Sequence, residues 1–196
     1  MHENHNQPQL DHDQASPFQE LAERRSFLEK VKEETFYAGF FVDREELYGR
    51  AAALRKIVGG ESGIDATQLV HTVEKPHVTT KFAPEVSDLH IDELGSAAKI
   101  TVVGYGNDGV NEGFLVKVAA DDPVMQAVLD KVRNPHITLS YSEGGHPKDT
   151  VDLDFRPLKE EDRFELAGKY CLHLKNNKLI DSEAGLVPEE DSQDNA

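Results

Sequence analysis

Two short segments constrain this chain more than anything else in it: Pro76-His77-Val78-Thr79 and Pro135-His136-Ile137-Thr138. Each lies in a run with β-branched residues, which favour extended backbone. Side chains on a strand alternate between its two faces. His77 and Thr79 therefore share one face and Val78 takes the other, while His136 and Thr138 share a face opposite Ile137 and Leu139. A single His-x-Thr means little in a chain with nine histidines. Two copies, each behind a proline and each with a β-branched middle residue, form a repeat. Set side by side, two such strands bury their aliphatic backs and offer two imidazoles and two hydroxyls to one groove. Two histidines facing one small group can act as general base and general acid. Threonine hydroxyls can donate hydrogen bonds to an anion held between them. That set suits a phosphodiester.

The segments around the motifs alternate strand and helix. After Ser16-Pro17, a cap and first-turn pair, the spacing of Phe18, Leu21, Phe27, Leu28 and Val31 predicts a helix over 17–33. Residues 35–42 are a nearly continuous apolar run of strand length. Asp43 then caps a helix over 44–58 with Leu47, Ala51, Leu54 and Ile57 or Val58 as its stripe, ended by Gly59-Gly60. Motif strands are predicted over 77–82 and 136–141, with further strands over 98–104, 113–119, 150–155 and 163–175 and a short edge at 178–180. Asn107-Asp108-Gly109 marks a hairpin turn within 105–112. Asp122-Pro123 opens a helix over 123–133, with Val124, Val128, Leu129 and Val132 at helical spacing. Each half thus runs strand, helix, motif strand. The fold class expected is α+β, with two pseudo-symmetric lobes, each a small antiparallel sheet plus a helix, about a central groove. Residues 17–180 would form this one bilobal domain, between a disordered polar tail over 1–16 and a disordered acidic tail over 181–196.

Charge limits the partners. The formal net charge is −16; residues 1–16 hold three acids, residues 181–196 hold six, and neither segment has a Lys or Arg. The body remains acidic without them, so no extended face for gripping nucleic acid is expected. A small phosphate ester or an RNA end needs only local positive charge, and Lys75, Lys81, Lys131 and Arg133 lie near the motifs. No run has the apolar length of a membrane helix, and no secretory leader is visible. Cys171 is the one cysteine. It allows no internal disulfide and no cysteine-based metal site, is expected to pack as a small hydrophobe, and fits a reducing, cytoplasmic setting.

These motifs resemble those of the 2H phosphoesterase superfamily, which includes RNA 2′,3′-cyclic phosphodiesterases, the bacterial enzymes called 2′-5′ RNA ligases and the phosphodiesterase domain of fungal and plant tRNA ligases. The signature is a pair of His-h-Thr/Ser-h motifs in which h is apolar. His136-Ile137-Thr138-Leu139 matches in full, and His77-Val78-Thr79-Thr80 departs at its last position. The separation of 59 residues between the two histidines is on the short side. The resemblance spans about 35–175. It implies a reaction without metal or other cofactor, in a groove between two lobes, on a nucleotide or RNA-end phosphate. His77 and His136 would be general base and general acid in an order the sequence leaves open. Thr79 and Thr138 would hold the non-bridging phosphate oxygens.

Three further residues are candidates for substrate binding: Lys81 and Tyr141, just beyond the motifs, and Tyr37, whose ring could stack on a base. Regular alternation puts Tyr141 opposite Thr138, which favours core packing. His146 in the Gly-Gly-His-Pro-Lys segment reads as an exposed loop residue, and His71, His90 and His173 show no partner pattern. The alternative from another class is a non-catalytic nucleotide or RNA-end binding module on the same fold. A metal site built on the two motif histidines lacks an adjoining ligand pattern.

Overall fold

The computed structural model describes residues 16–62 and 70–186. Residues 1–15 of the predicted 1–16 tail, most of the acidic tail and residues 63–69 lie outside the described residues. Helices α1 (Pro17–Glu34), α2 (Arg44–Ser62) and α3 (Pro123–Leu129) accompany strands β1 (Thr35–Val42), β2 (His71–Thr72), β3 (His77–Phe82), β4 (Ala97–Asn107) and β5 (Asn111–Ala120). Strands β6 (His136–Tyr141), β7 (Arg156–Pro157), β8 (Phe164–Leu174) and β9 (Leu179–Ile180) follow, and five short 3-10 turns accompany them among the described residues. No described helix is long and apolar enough to cross a membrane.

The helix starts follow their chemistry. The Ser16 side chain accepts from the Gln19 N–H, the Asp43 carboxylate from Glu46, and the Asp122 carboxylate from Val124 and Met125. These contacts satisfy amide groups that a helix leaves unpaired at its start. Helix α2 buries Leu47, Ala51 and Leu54 but leaves Ile57 exposed, and it runs through Gly59-Gly60 instead of ending there. Helix α3 stops at Leu129, short of the expected 133, and buries Met125 and Leu129 rather than Val124, which is exposed.

The nine described strands join one antiparallel sheet: eight run in the order β7-β4-β5-β6-β3-β1-β8-β9, β2 pairs with β6 off this path, and β4 also pairs with β8. Six strands, β4-β5-β6-β3-β1-β8, therefore close on themselves as a barrel. Phe40, Val78, Ile100, Phe114, Ile137, Tyr170 and Leu172 are fully buried in its core. The fold is mixed α+β, as expected, but its halves meet along two seams, β3–β6 and β4–β8.

The halves repeat in register. Gly39, Phe40 and Phe41 of β1 stand opposite Thr79, Val78 and His77. Gly113, Phe114 and Leu115 of β5 stand opposite Thr138, Ile137 and His136. The Val42 N–H donates to the Pro76 carbonyl at 3.1 Å, and the Val116 N–H donates to the Pro135 carbonyl at 2.9 Å. Phe40 faces Tyr170 at 5.6 Å and 52°, and Phe114 faces Tyr105 at 5.9 Å and 56°. Each motif strand also slips by one residue just past its threonine: Thr80 is skipped against β1 and Leu139 against β5. A skipped residue of this kind is a β-bulge, and it reverses the face of everything beyond it.

Two further expectations fail. Residues 150–155 are not a strand: Pro147 starts a 3-10 turn over Pro147–Asp152, and only Arg156–Pro157 pairs, with β4. The ordered body also extends past 180, since Glu183–Leu186 forms a turn and Leu186 packs on the core. Cys171 is buried and free, and burial pushes its thiol up to about 11, in keeping with a packing role. A buried polar knot ties α2 to the barrel: Glu112, with no exposed surface, bonds Arg55, the Tyr105 hydroxyl at 2.7 Å and Ser140.

Candidate active site

Strands β3 and β6 pair through the two central motif residues, Val78 and Ile137, both fully buried. One step either way in this antiparallel register sets His77 against Thr138 and Thr79 against His136. All four face away from the core, with the histidines diagonal to each other. Diagonal neighbours of a regular antiparallel pair lie about 7–8 Å apart, within reach of a single phosphate between their rings. A cavity of about 570 Å³ is lined by His77, Thr79, His136 and Thr138 together with Phe36, Tyr37, Val73, Phe82, His146, Pro147, Lys148 and His173.

Both imidazoles are held the same way. Nδ1 of His77 lies 2.8 Å from the Lys75 carbonyl, and Nδ1 of His136 lies 2.9 Å from the Asn134 carbonyl. A carbonyl can only accept, so Nδ1 carries the proton in each ring. Nε2 is left as the atom that gains or loses one. The turned-back carbonyl comes from the residue two before each histidine, across the motif proline. At the second copy Asn134 adopts a left-handed conformation, φ 46°, which Asn tolerates better than most residues.

The two rings differ in burial. His77 stacks on Tyr37, at 4.3 Å and 17°, and lies against Phe41, at 5.0 Å and 29°, in a cluster where those two rings are 5.9 Å apart. Burial drives its pKa down to about 4; the Lys75 carbonyl opposes this, and the neighbouring His173 and His136 add to it. Burial also lowers the pKa of His136, opposed by the Asn134 carbonyl and by Asp152. His77 is thus the ring that stays neutral, with a lone pair on Nε2.

The threonines differ as well. The Thr138 hydroxyl donates to the Pro147 carbonyl at 3.1 Å and pairs with the buried Thr150 hydroxyl at 3.0 Å. Thr79 makes no side-chain hydrogen bond among the described residues. It is free to donate to a ligand at once, whereas Thr138 must first turn from Pro147.

The three candidate binding residues fare differently. Tyr37 lines the cavity and also touches the His173 ring at 4.6 Å. Lys81 does not line it: the bulge at Thr80 turns Phe82 inward in its stead, and the Lys81 ammonium sits 3.3 Å from Asp88. Tyr141 lines an adjoining cavity of about 420 Å³, because the bulge at Leu139 reverses the face that regular alternation assigns to it. Of the other cations near the motifs, Lys75 lines that adjoining cavity, and Arg133 lies 3.9 Å from Asp152. Among the described residues, Lys148 is the one Lys or Arg in the wall of the motif cavity.

Sequence reasoning missed Phe36, Phe82 and Lys148 in this wall, and it also missed His173. His173 faces Tyr37 across β1–β8 and lines both cavities. Its Nε2 bonds the Asn177 side-chain oxygen at 2.9 Å, and burial lowers its pKa. Alternation in β8 sets His173 apart from the buried Leu172 and Leu174, but the partner strand lies more than 130 residues away in sequence and leaves no local trace. Among the described residues, no group of three or more His, Cys, Asp or Glu side chains is arranged to hold a metal ion. No protein-family model matches this chain, and no curated protein matches it.

Proposed function

We propose that this protein is a phosphodiesterase that hydrolyses a 2′,3′-cyclic phosphate, or a closely related nucleotide phosphodiester, by two-histidine acid–base catalysis without a metal. The observation that carries this reading is the cavity whose wall includes both histidines and both threonines, with both imidazoles locked in the Nδ1–H form. We read the halves, repeated in register, as the two lobes of a 2H-type fold joined at their edges.

In this reaction His77 is the base. It takes a proton on Nε2 from water as the water oxygen bonds to phosphorus. The bond from phosphorus to one ribose oxygen breaks, and protonated His136 gives that oxygen its Nε2 proton. Ring opening by one water yields a phosphate monoester and a free hydroxyl, and the two histidines exchange protonation states. Nδ1 keeps its proton throughout, so neither ring needs to turn. Thr79 and Thr138 hydroxyls stabilise the charge on the non-bridging oxygens where it grows, and Lys148 adds positive charge at the rim. Neutral His77 fits the role of base, because its burial disfavours the cation more than that of His136 does.

The test is turnover of 2′,3′-cyclic nucleotides, 3′,5′-cyclic nucleotides and 2′-5′-linked dinucleotides in EDTA, with His77→Ala and His136→Ala as controls. Hydrolysis of the 2′,3′-cyclic nucleotides alone, lost in both variants, supports the reading. Binding without turnover, or turnover that EDTA abolishes, overturns it in favour of a binding module or a metal enzyme.

A further inference from the structure

The motif strands end alike. Three residues past the motif threonine, each carries an aromatic residue, Phe82 in β3 and Tyr141 in β6, and the same one-residue bulge turns each towards the site side. Phe82 meets Phe36 edge-on at 5.1 Å on the rim of the motif cavity, and both rings are exposed. Tyr141 stacks on His71, its partner across β2–β6, at 5.1 Å and 28°. This second pair lines the adjoining cavity, which shares Tyr37, Val73, Pro147 and His173 with the first. The wall between them is pinned from α2, where the Tyr48 hydroxyl accepts from the Val73 N–H at 3.0 Å and donates to the Leu139 carbonyl at 2.6 Å.

The adjoining cavity carries a cation of its own, as the motif cavity carries Lys148. Lys75 contributes its carbonyl to His77 and its ammonium to the adjoining cavity. That ammonium rests on the neutral amide of Asn177, at 2.7 Å, and has no carboxylate partner among the described residues. Lys81, by contrast, is paired with Asp88. A cation without a direct carboxylate partner beside a stacked aromatic pair offers the two elements of a nucleotide site, phosphate charge and base stacking, although His71 Nε2 also lies 3.4 Å from the exposed Glu143 carboxylate. Glu74, in the same wall, is an acceptor suited to ribose hydroxyls.

Building on the phosphodiesterase reading, we propose that the adjoining cavity is a subsite for the nucleotide 5′ of the one that carries the scissile phosphate. The substrate is then the end of an oligonucleotide and not a lone mononucleotide. The terminal base lies towards Phe36 and Phe82, the scissile phosphate between the histidines, and the preceding base on Tyr141 and His71. A third nucleotide gains nothing, because the acidic body offers no further basic track.

The experiment compares kcat/KM of the full chain on adenosine 2′,3′-cyclic phosphate with that on the same terminus carried by a di- and a triadenylate. Stacking of one base on an aromatic ring is worth roughly 1–3 kcal/mol, so the dinucleotide should be favoured by about 5- to 150-fold, with no further gain for the trinucleotide. In a His71→Ala, Tyr141→Ala double variant the ratio of dinucleotide to mononucleotide should fall towards one. A native ratio near one, or a ratio the double variant leaves unaltered, overturns the subsite while leaving the phosphodiesterase reading intact. Calorimetric binding of the 2′-phosphorylated mono- and dinucleotides keeps the two questions apart. A dinucleotide preference lost in the double variant supports the subsite even if no turnover is seen, and equal affinities overturn it.

Discussion

Gly113 offers the sharpest structural test. It stands opposite Thr138 in the β5–β6 register, next to the bulge, as Gly39 stands opposite Thr79. A Cβ at Gly113 would lie 2.8 Å from the Ile137 carbonyl oxygen and 2.5 Å from Thr150 Cγ2, where ordinary contact begins near 3.4 Å. The shortfall is about 0.6 Å against the backbone of the residue between His136 and Thr138, and larger against the methyl group of Thr150. Overpacking of this kind costs about 1–3 kcal/mol, which for a chain of this length lowers Tm by about 2–12 °C. A 1 Å misplacement in an active site can cost about 10²-fold in rate, so Gly113→Ala should lower kcat by about tenfold. The assay pairs hydrolysis of adenosine 2′,3′-cyclic phosphate with a thermal melt. Adding Thr150→Ser, which removes Cγ2 and keeps the hydroxyl on Thr138, should recover part of the stability but not the rate, since the clash with the Ile137 carbonyl persists. A Gly113→Ala protein with native kcat and native Tm would refute the close approach on which the argument rests.

Four further outcomes follow from the structure. kcat/KM should peak in mildly acidic solution, because His77 must be neutral, above about 4, and His136 protonated, below a value itself under 6.5; an optimum above pH 7.5 would contradict the assignment of base and acid. The folded state resists protonation of His77, so conformational stability should decline as the pH falls from 6.5 towards 4, as read by urea titration at several pH values. Replacing Tyr37 with Ala exposes the His77 ring, and the acidic limb of the profile should move up from about 4 towards 6.5; an unmoved limb would mean that burial is not what depresses His77. Arg55→Ala leaves the fully buried Glu112 carboxylate without its cation and should cost about 3 kcal/mol, the low end for a broken buried pair, because Arg55 keeps about a third of its side chain in water; urea denaturation measures it.

The site was legible where chemistry is local. Pro76 and Pro135, with the β-branched residues behind them, fixed strands over 77–82 and 136–141 to the residue. Alternation then put His77 with Thr79 and His136 with Thr138 on the cavity side. The bulges at Thr80 and Leu139 were not legible, because nothing in either residue type demands a skipped pair. That is why Lys81 is a candidate from sequence and Phe82 is not, and why regular alternation favours core packing for Tyr141, itself a binding candidate. Apolar residues at 151, 153 and 155 imitate a strand, but Pro147 and the carboxylates between them suit a 3-10 turn, which buries Thr150 beneath Thr138. The closure of β4 on β8 and the position of His173 depend on pairings distant in sequence, and single-strand patterning carries no information about partners.

The most direct measurement of the central claim is steady-state hydrolysis of adenosine 2′,3′-cyclic phosphate in EDTA by the native chain, His77→Ala and His136→Ala. General acid–base catalysis is worth about 10²–10⁴-fold per group. The account predicts chelator-resistant turnover that falls by at least about 100-fold in each variant while both keep the native Tm within a few degrees. Native-like kcat in either variant, or no turnover by the native chain, would contradict it.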